Sequence, residues 1–454
     1  MDIEQIRQAI SRTGEARQRV RQHRNTDAII DALAQAAKNW LEPNNPWRLR
    51  AIEQAPAATG FSSAMVSEAV DLTFSAITDQ SLHQFVNGEL GDRKVLDGSV
   101  EPERGALLRA TVQSPLRGAM LRAPDPSTKI KAIGPQLIAH FLAGNVPAPG
   151  IVSICCGLLL KSANLVKVSG RDSLFPTLFV ESLRMVDAEL ADCVAVLDWR
   201  REERALTQAA LAEADAVIAY GDDETVEMLR RMCRPDARFI GYGHKLSFAV
   251  VGREALKQEA VASLAESAAF DVSVYDQQGC LSPHVVYVEK GGAVAPRDFA
   301  AALAGAMAAY QLRVPRGQLS IEESAQIAKL RGAYEFRSAS DKSVAVWASA
   351  GTNGWLVIYE EDPMFTPSCL NRVVFVKPVE RLERITELLC RFAPNLSTVG
   401  IAPLNERAMS FANALADLGV NRVCPIGQMQ RPPLTWHHDG RPNLADLVRW
   451  VEVG

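Results

Sequence analysis

Short apolar runs alternate with amphipathic stretches along most of this chain, and that alternation predicts its elements. Near the start, Ile3, Ile6 and Ile10, then Ile29, Ile30, Leu33 and Ala37, recur three and four residues apart. That spacing predicts helices through about residue 95. The stretch TDAIIDALAQAAKNWLEPNNPW opens on Thr26, a good N-cap, and meets Pro43 and Pro46 at its end, which stops the helix. Residues from Asp97 to Pro126 are rich in glycine, proline and charge and read as a connecting arm. From Lys129 the pattern changes. IKAIGPQLIAHFLAGNVPAPG leads into the helix-like IVSICCGLLLKS, the strand-like NLVKVSG, the helix-like FPTLFVESLRMVDAEL and the strand-like DCVAVLDW. The alternation continues through EERALTQAALAEA, DAVIAYG, DETVEMLRRM and RFIGYGHKLSFAVV.

Apolar strands separated by amphipathic helices predict an α/β fold, a parallel sheet with helices on both faces. The crevice at the carboxyl ends of such strands is where ligands bind. Two strand ends look prepared for one: Lys167-Val168-Ser169-Gly170-Arg171, with two cations, and Tyr220-Gly221-Asp222-Asp223. A lysine at a strand end is more often simply solvated, and GxGxxG is absent, so position alone leaves cofactor binding open. A second α/β segment begins near Arg253 and runs to about Pro403. The expected organisation is a cofactor-binding domain with a helical N-terminal region over 1–252, a second domain over 253–403, and a docking or oligomerisation segment over 404–454.

Composition narrows the class. The chain has 454 residues, 48% hydrophobic and 22% charged, enough for two or three domains with a large core. A net charge of −4 supplies no basic field for nucleic acid or an anionic membrane surface. No apolar window reaches the length of a membrane span, and MDIEQIRQAI lacks the apolar core of a signal peptide. A cytoplasmic protein is expected. Eight cysteines are scattered without a CxxC pair, so neither a zinc site nor a disulfide scaffold is indicated. His437 and His438 stand in a proline-rich loop without a third ligand at metal spacing, so no metal is expected and WHHDGRPNL reads as structural.

The candidate chemistry lies in DVSVYDQQGCLSPH, Asp271 to His284. One cysteine, Cys280, sits among polar residues and a glycine, between a helix-like segment (Ala255 to Ala269) and the strand-like VVYVE from Val285. Pro283 excludes a continuous helix, and Gly279 permits backbone geometry closed to other residues. A thiol on such a turn, beside a backbone amide, is how a nucleophile is presented to a carbonyl. A small buried cysteine fits the same stretch equally well. His284 could tune the thiol, although a histidine at a strand start is more often bonded to backbone. Cys155 and Cys156 lie in an apolar run and are expected in the core.

The order of these features resembles the aldehyde dehydrogenase superfamily. Gly144-Asn145-Val146-Pro147 is similar to its WNxP turn, Lys167-Val168-Ser169-Gly170 to its KPSE strand end, and Ala219-Tyr220-Gly221-Asp222 to its TGS turn. Gly241-Tyr242-Gly243-His244-Lys245 is similar to ELGGK, Gln278-Gly279-Cys280 to the catalytic cysteine loop, and Glu361 to Pro367 loosely to EIFGP. Within the superfamily, DQQGCLSPH and the ending CPIGQMQRPPLTWHHDGRPNLADLVRWVE resemble the LuxC-type acyl-CoA reductases, which reduce fatty acyl thioesters to aldehydes, as for bacterial luminescence. The resemblance implies two Rossmann-like domains plus a small oligomerisation element, with Cys280 as nucleophile and Asn145 as oxyanion donor. It implies cofactor contacts at Lys167, Ser169, Arg171, Gly221 and Glu361. It also implies a homo-oligomer, and acyl-CoA or an acylated protein as donor, with an acyl-protein synthetase as partner.

Two departures sharpen this. Gly241 replaces the ELGGK glutamate that activates water in hydrolytic members, so an acyl-cysteine should persist. Gly170 replaces the KPSE glutamate that would repel a 2′-phosphate, and Ser169 and Arg171 stand beside it, which favours NADPH. The competing readings are an acylating or hydrolytic aldehyde dehydrogenase running oxidatively, and a cysteine-acylated transfer module without redox activity.

Overall fold

The computed structural model describes residues 1–101, 129–144, 146, 149–168, 174–351 and 353–453. The expected arm lies mostly outside the described residues, as do Asn145, Ser169 and Arg171. The described chain forms two units, Met1–Thr59, Val70–Gly243 and Pro433–Gly454 in the first, Gly60–Ala69 and His244–Pro432 in the second.

In the first unit five apolar runs become parallel strands: β2 (Leu137–Phe141), β3 (Ala163–Val168), β4 (Val194–Asp198), β5 (Ala216–Tyr220) and β6 (Arg238–Tyr242). Their spatial order is β4-β3-β2-β5-β6, and every pairing is parallel. The order reverses at β2 and β5, the topological switch point of a doubly wound sheet. The sheet is buried on both faces because successive side chains point opposite ways. Leu137, Ala139 and Phe141 join a core with Leu206, Ala210 and Leu211 of the helix Arg204–Glu213. Ile138 and His140 face the other side and are fully buried.

The N-terminal helices Ile3–His23, Thr26–Leu41, Pro46–Thr59, Ser63–Ser75 and Asp79–Leu90 form as their periodicity predicts. The cap of the second differs. Asn25 is the N-cap, accepting from the Ala28 N–H at 2.8 Å, while Thr26 gives its own N–H and hydroxyl to Asp97. Pro46 does not merely end a helix; it opens the next one, where its missing N–H costs nothing. The chain's last strand, β14 (Arg449–Val453), pairs antiparallel with β1 (Lys129–Ile133).

The second unit holds a seven-stranded sheet ordered β13-β12-β7-β8-β11-β10-β9. These strands are β7 (Leu246–Val251), β8 (Pro283–Glu289), β9 (Val344–Ala348), β10 (Leu356–Glu360), β11 (Val373–Val379), β12 (Leu396–Ile401) and β13 (Arg422–Pro425). All pairings are parallel except β9 with β10. Alternation sorts its side chains between two cores. Val286, Val288, Val374 and Val376 pack with the helices Val261–Ser273 and Pro296–Arg313. Val285, Tyr287, Val373 and Phe375 pack with Ile385, Leu389, Phe411 and Leu415 on the opposite face.

The unit boundaries differ from the expected domains. Strand β7 lies before residue 252 yet belongs to the second sheet. The expected C-terminal segment is divided: β13 extends the seven-stranded sheet, while β14 returns to the first unit. Among the described residues no helix is long and apolar enough to cross a membrane.

Candidate active site

In the first unit the carboxyl ends of β3 and β5 carry two of the predicted cofactor residues, Lys167 and Gly221. Lys167 is the next-to-last residue of β3 and half-buried. Desolvation holds its ammonium below the usual lysine range, opposed by the fields of Asp198 and Glu202. Gly221 follows β5 and donates its N–H to the Tyr242 carbonyl at 3.2 Å. A Cβ on Gly221 would come within 3.3 Å of Thr225, so glycine lets the backbone run close to the next helix. Asp222 caps that helix, Asp223–Met232, accepting from the Thr225 N–H at 2.6 Å. A switch point, a close-running backbone and a half-buried cation fit a nucleotide.

Aromatic rings line the ends of β5 and β6. Tyr220 stacks on Tyr242 at 4.8 Å, Tyr242 on His438 at 4.0 Å, and His438 meets Trp436 at 4.8 Å. This gives WHHDG a packing role in the first unit. Gly241, the position of the ELGGK glutamate, lies within β6, where a Cβ would be 2.5 Å from Val226 Cγ1 and 2.8 Å from the Phe239 ring.

In the second unit Cys280 is exposed. It lies between the helix Val261–Ser273 and β8, before the amino end of that strand. The buried alternative holds instead for Cys155 and Cys156, whose thiols are pushed up by burial, Cys155 to about 12. The backbone leading to Cys280 is unusual, but not at the glycine. Gly279 is outside the left-handed region, and a Cβ there would meet only ordinary contacts at 3.5 Å. The left-handed residues are Tyr275 (φ 54°), Asp276 (φ 49°) and Gln277 (φ 65°). Each non-glycine residue in that region costs about 1–2 kcal/mol, so tertiary bonds must hold them.

Those bonds are present. The Tyr275 N–H points at Met65 Sδ at 3.1 Å. Asp276 accepts from the Gly317 N–H at 2.9 Å and pairs with Arg372 at 2.8 Å. Burial pushes the Asp276 carboxyl up while Arg372 opposes the shift. Gln277, fully buried, donates to the carbonyls of Pro283 (2.9 Å) and Val373 (2.8 Å) and accepts from the Val373 N–H (2.8 Å). After the turn, Ser247 donates to the Cys280 carbonyl at 2.7 Å. Gln430 donates to Ser282 Oγ and to the Asp271 carbonyl, each at 3.0 Å. The residues that hold this loop come from segments far apart in the chain, so the sequence reading missed them; the run of polar residues in DQQGC was their only local trace.

His284 is buried, and its Nδ1 accepts from the Ser368 N–H at 3.1 Å. Burial, reinforced by His244, depresses it to about 4. It is a neutral ring bonded to backbone. Glu361 is not brought to Cys280. It follows the carboxyl end of β10, level with Val288 through the pairings of β10, β11 and β8. Cys280 precedes the amino end of β8, so about 16 Å of strand separates the two levels. The segment beside the Cys280 loop is instead the one before β11: Gln278 Nε2 donates to Asn371 Oδ1 at 3.0 Å.

Comparison with known proteins agrees with this architecture. A family model described as Acyl-CoA reductase (LuxC) matches residues 22–450. The long-chain acyl-protein thioester reductase of Aliivibrio fischeri is 26% identical over 436 residues, covering 94% of this chain and 82% of that protein. The protein of the same name from Vibrio harveyi is 23% identical over 431 residues, with coverage of 94% and 82%. Among solved structures, an aldehyde dehydrogenase from Brucella melitensis superposes with TM-score 0.69 at 12% identity, covering 100% of this chain and 89% of that one. A benzaldehyde dehydrogenase from Corynebacterium glutamicum gives 0.68 at 12% identity, with coverage of 100% and 91%. The fold is therefore that of the aldehyde dehydrogenases, and a reductase on this fold points to a nicotinamide cofactor. With the match spanning nearly its whole length, the chain belongs to the LuxC acyl-CoA reductase family.

Proposed function

We propose that this protein reduces a long-chain acyl thioester to the aldehyde with NADPH, through an S-acyl intermediate on Cys280. The observation that carries the reading is an exposed thiol at the end of a left-handed turn fixed by buried polar bonds. Such a turn is costly for Tyr, Asp and Gln, and strain of this kind persists where it serves a site.

The Cys280 thiolate attacks the thioester carbonyl, forming the new C–S bond. The oxyanion is held by the Cys280 backbone N–H and the Asn145 side-chain amide. Collapse expels the donor thiolate, from CoA or an acylated protein, and leaves S-acyl-Cys280. NADPH, when bound, supplies hydride to that carbonyl. The same two donors hold the second oxyanion, whose collapse releases aldehyde and returns the thiolate. Lys167 and Gly221 hold the dinucleotide, with Ser169 and Arg171 taking its 2′-phosphate. Gly241 offers no carboxylate to activate water, which protects the acyl-enzyme from hydrolysis. The relatives' names favour an acyl-protein donor; an acyl-protein synthetase as partner and a cytoplasmic homo-oligomer as the working form are carried by the family resemblance alone.

The test is intact mass after incubation with acyl-CoAs of increasing chain length, without NADPH. We expect one acyl adduct on the Cys280 peptide and NADPH-dependent aldehyde release. Cys280→Ala should lose both, and aldehyde formation by that variant would overturn the reading.

A further inference from the structure

The turn before Cys280 has a twin. Leu370 (φ 61°), Asn371 (φ 58°) and Arg372 (φ 64°) form a second run of three left-handed residues, directly before β11. Strands β8 and β11 are neighbours in the sheet, so the two turns lie side by side where the strands begin. They are joined by several side chains. Asp276 pairs with Arg372 at 2.8 Å, Gln278 bonds Asn371 at 3.0 Å, and Gln277 takes both main-chain groups of Val373 at 2.8 Å. Arg372 is itself anchored, donating to Gln311 Oε1 at 2.7 Å and to the Val314 carbonyl at 2.9 Å.

Gln277 is the centre of this tie. Its carboxamide uses its oxygen and both N–H bonds, the second donated to Pro283 beyond Cys280. One side chain therefore spans the loop from the residue after Asp276 to the residue before His284. It fixes the path of the intervening Gln278-Gly279-Cys280-Leu281-Ser282 against the start of β11. A carboxylate cannot do this, because it has no proton for either carbonyl.

We propose that Gln277 is a positioning residue for the nucleophile. By tying the Cys280 turn to its twin before β11, it sets the direction in which the Cys280 thiol and backbone N–H meet a bound thioester. This rests on Cys280 being the nucleophile. Attack on a thioester needs both the thiol and the oxyanion donor aligned, whereas alkylation by iodoacetamide needs only a reachable thiolate.

The test compares both reactions in the full-length protein carrying Gln277→Ala or Gln277→Glu. Single-turnover acylation of Cys280 by a long-chain acyl-CoA should fall on the order of 10²-fold, the scale set by ångström misplacement of a reacting group. The KM for acyl-CoA and the alkylation rate should hold near their original values, and Gln277→Glu should not restore acylation. Equal losses in both reactions, or a loss in neither, would overturn the proposal. Should the Gln277 variants fail to fold, Gln278→Ala decides, since it cuts the half-buried tie to Asn371: slowed acylation supports the proposal and an unchanged rate overturns it. No adduct on Cys280 in the unaltered protein would remove the nucleophile itself, an outcome distinct from normal acylation in the variants.

Discussion

Individual residues decide what this site can do through their packing as much as their chemistry. Gly241 is the clearest case. The missing glutamate reads in the sequence as a loss of water activation, but the structure adds a steric reason. A side chain at this position would press on Val226 of the preceding helix, Asp223–Met232, and on Phe239 within β6 itself. Gly241→Glu should therefore fail to produce a hydrolase. Overpacking of this kind costs about 1–3 kcal/mol, so we expect a lower melting temperature and no acid released from aldehyde or acyl-CoA. Acid formation by a well-folded Gly241→Glu protein would show that the glycine is a chemical choice alone. His284 teaches the same lesson. Its place four residues after Cys280 invites a catalytic role, yet its Nδ1 is engaged by the Ser368 N–H and burial keeps it neutral.

At the scale of elements, the sequence is legible wherever a local pattern is sufficient. The strands of the first sheet are short apolar runs, and fully buried parallel strands must be such runs. The helix and strand that flank Cys280 were also legible, whereas the exposure of the thiol was left open. The left-handed turns were not legible, because Tyr, Gln, Leu and Arg carry no local preference for that region, a lone Asp or Asn carries only a weak one, and the runs are held there by distant partners. The position of Glu361 beyond the carboxyl end of β10 was hidden for a related reason: a motif match along the chain does not say at which end of a strand the residue will stand. The C-terminal division was hidden because β14 finds β1 across more than 300 residues of sequence. That return is anchored by Glu89, whose carboxylate accepts from the N–H groups of Asn443 (2.8 Å), Leu444 (3.3 Å) and Ala445 (3.1 Å). Hydrogen bonds to a charged group contribute about 1.5–3 kcal/mol each. Glu89→Ala should leave those amides without an acceptor and speed hydrogen exchange through 443–453 and β1, while β8 stays protected. Unchanged exchange in β14 would mean that the ribbon holds itself.

For the molecule as a whole, three buried titratable groups bias how stability responds to pH between 4 and 8, and they do not agree in sign. His140 in the first unit lies between Ser153 Oγ (2.8 Å) and Asn164 Oδ1 (3.0 Å), and burial depresses it to about 4. His284 in the second unit is likewise held at about 4. Both lie below the ordinary histidine value, so on acidification the unfolded chain takes up its protons first. Their stabilisation is present above about pH 6.5 and is lost as pH falls toward 4. Asp271 runs the other way. It accepts from the N–H groups of Gly427 (2.5 Å) and Met429 (3.1 Å), yet burial pushes it up to about 7, above its ordinary 3.8. Between those values the folded state holds the extra proton, so this contribution is full at low pH and is lost as pH rises through 7. Two histidines oppose one carboxyl below pH 6.5, whereas Asp271 alone acts just above it. The melting temperature should therefore climb from pH 4.5 to about 6.5 and then decline gently toward pH 8. Asp271→Asn should lower the whole curve, because an amide N–H₂ would face backbone donors, and should flatten its alkaline side. A decline beyond pH 7 that survives in Asp271→Asn would assign it to another group.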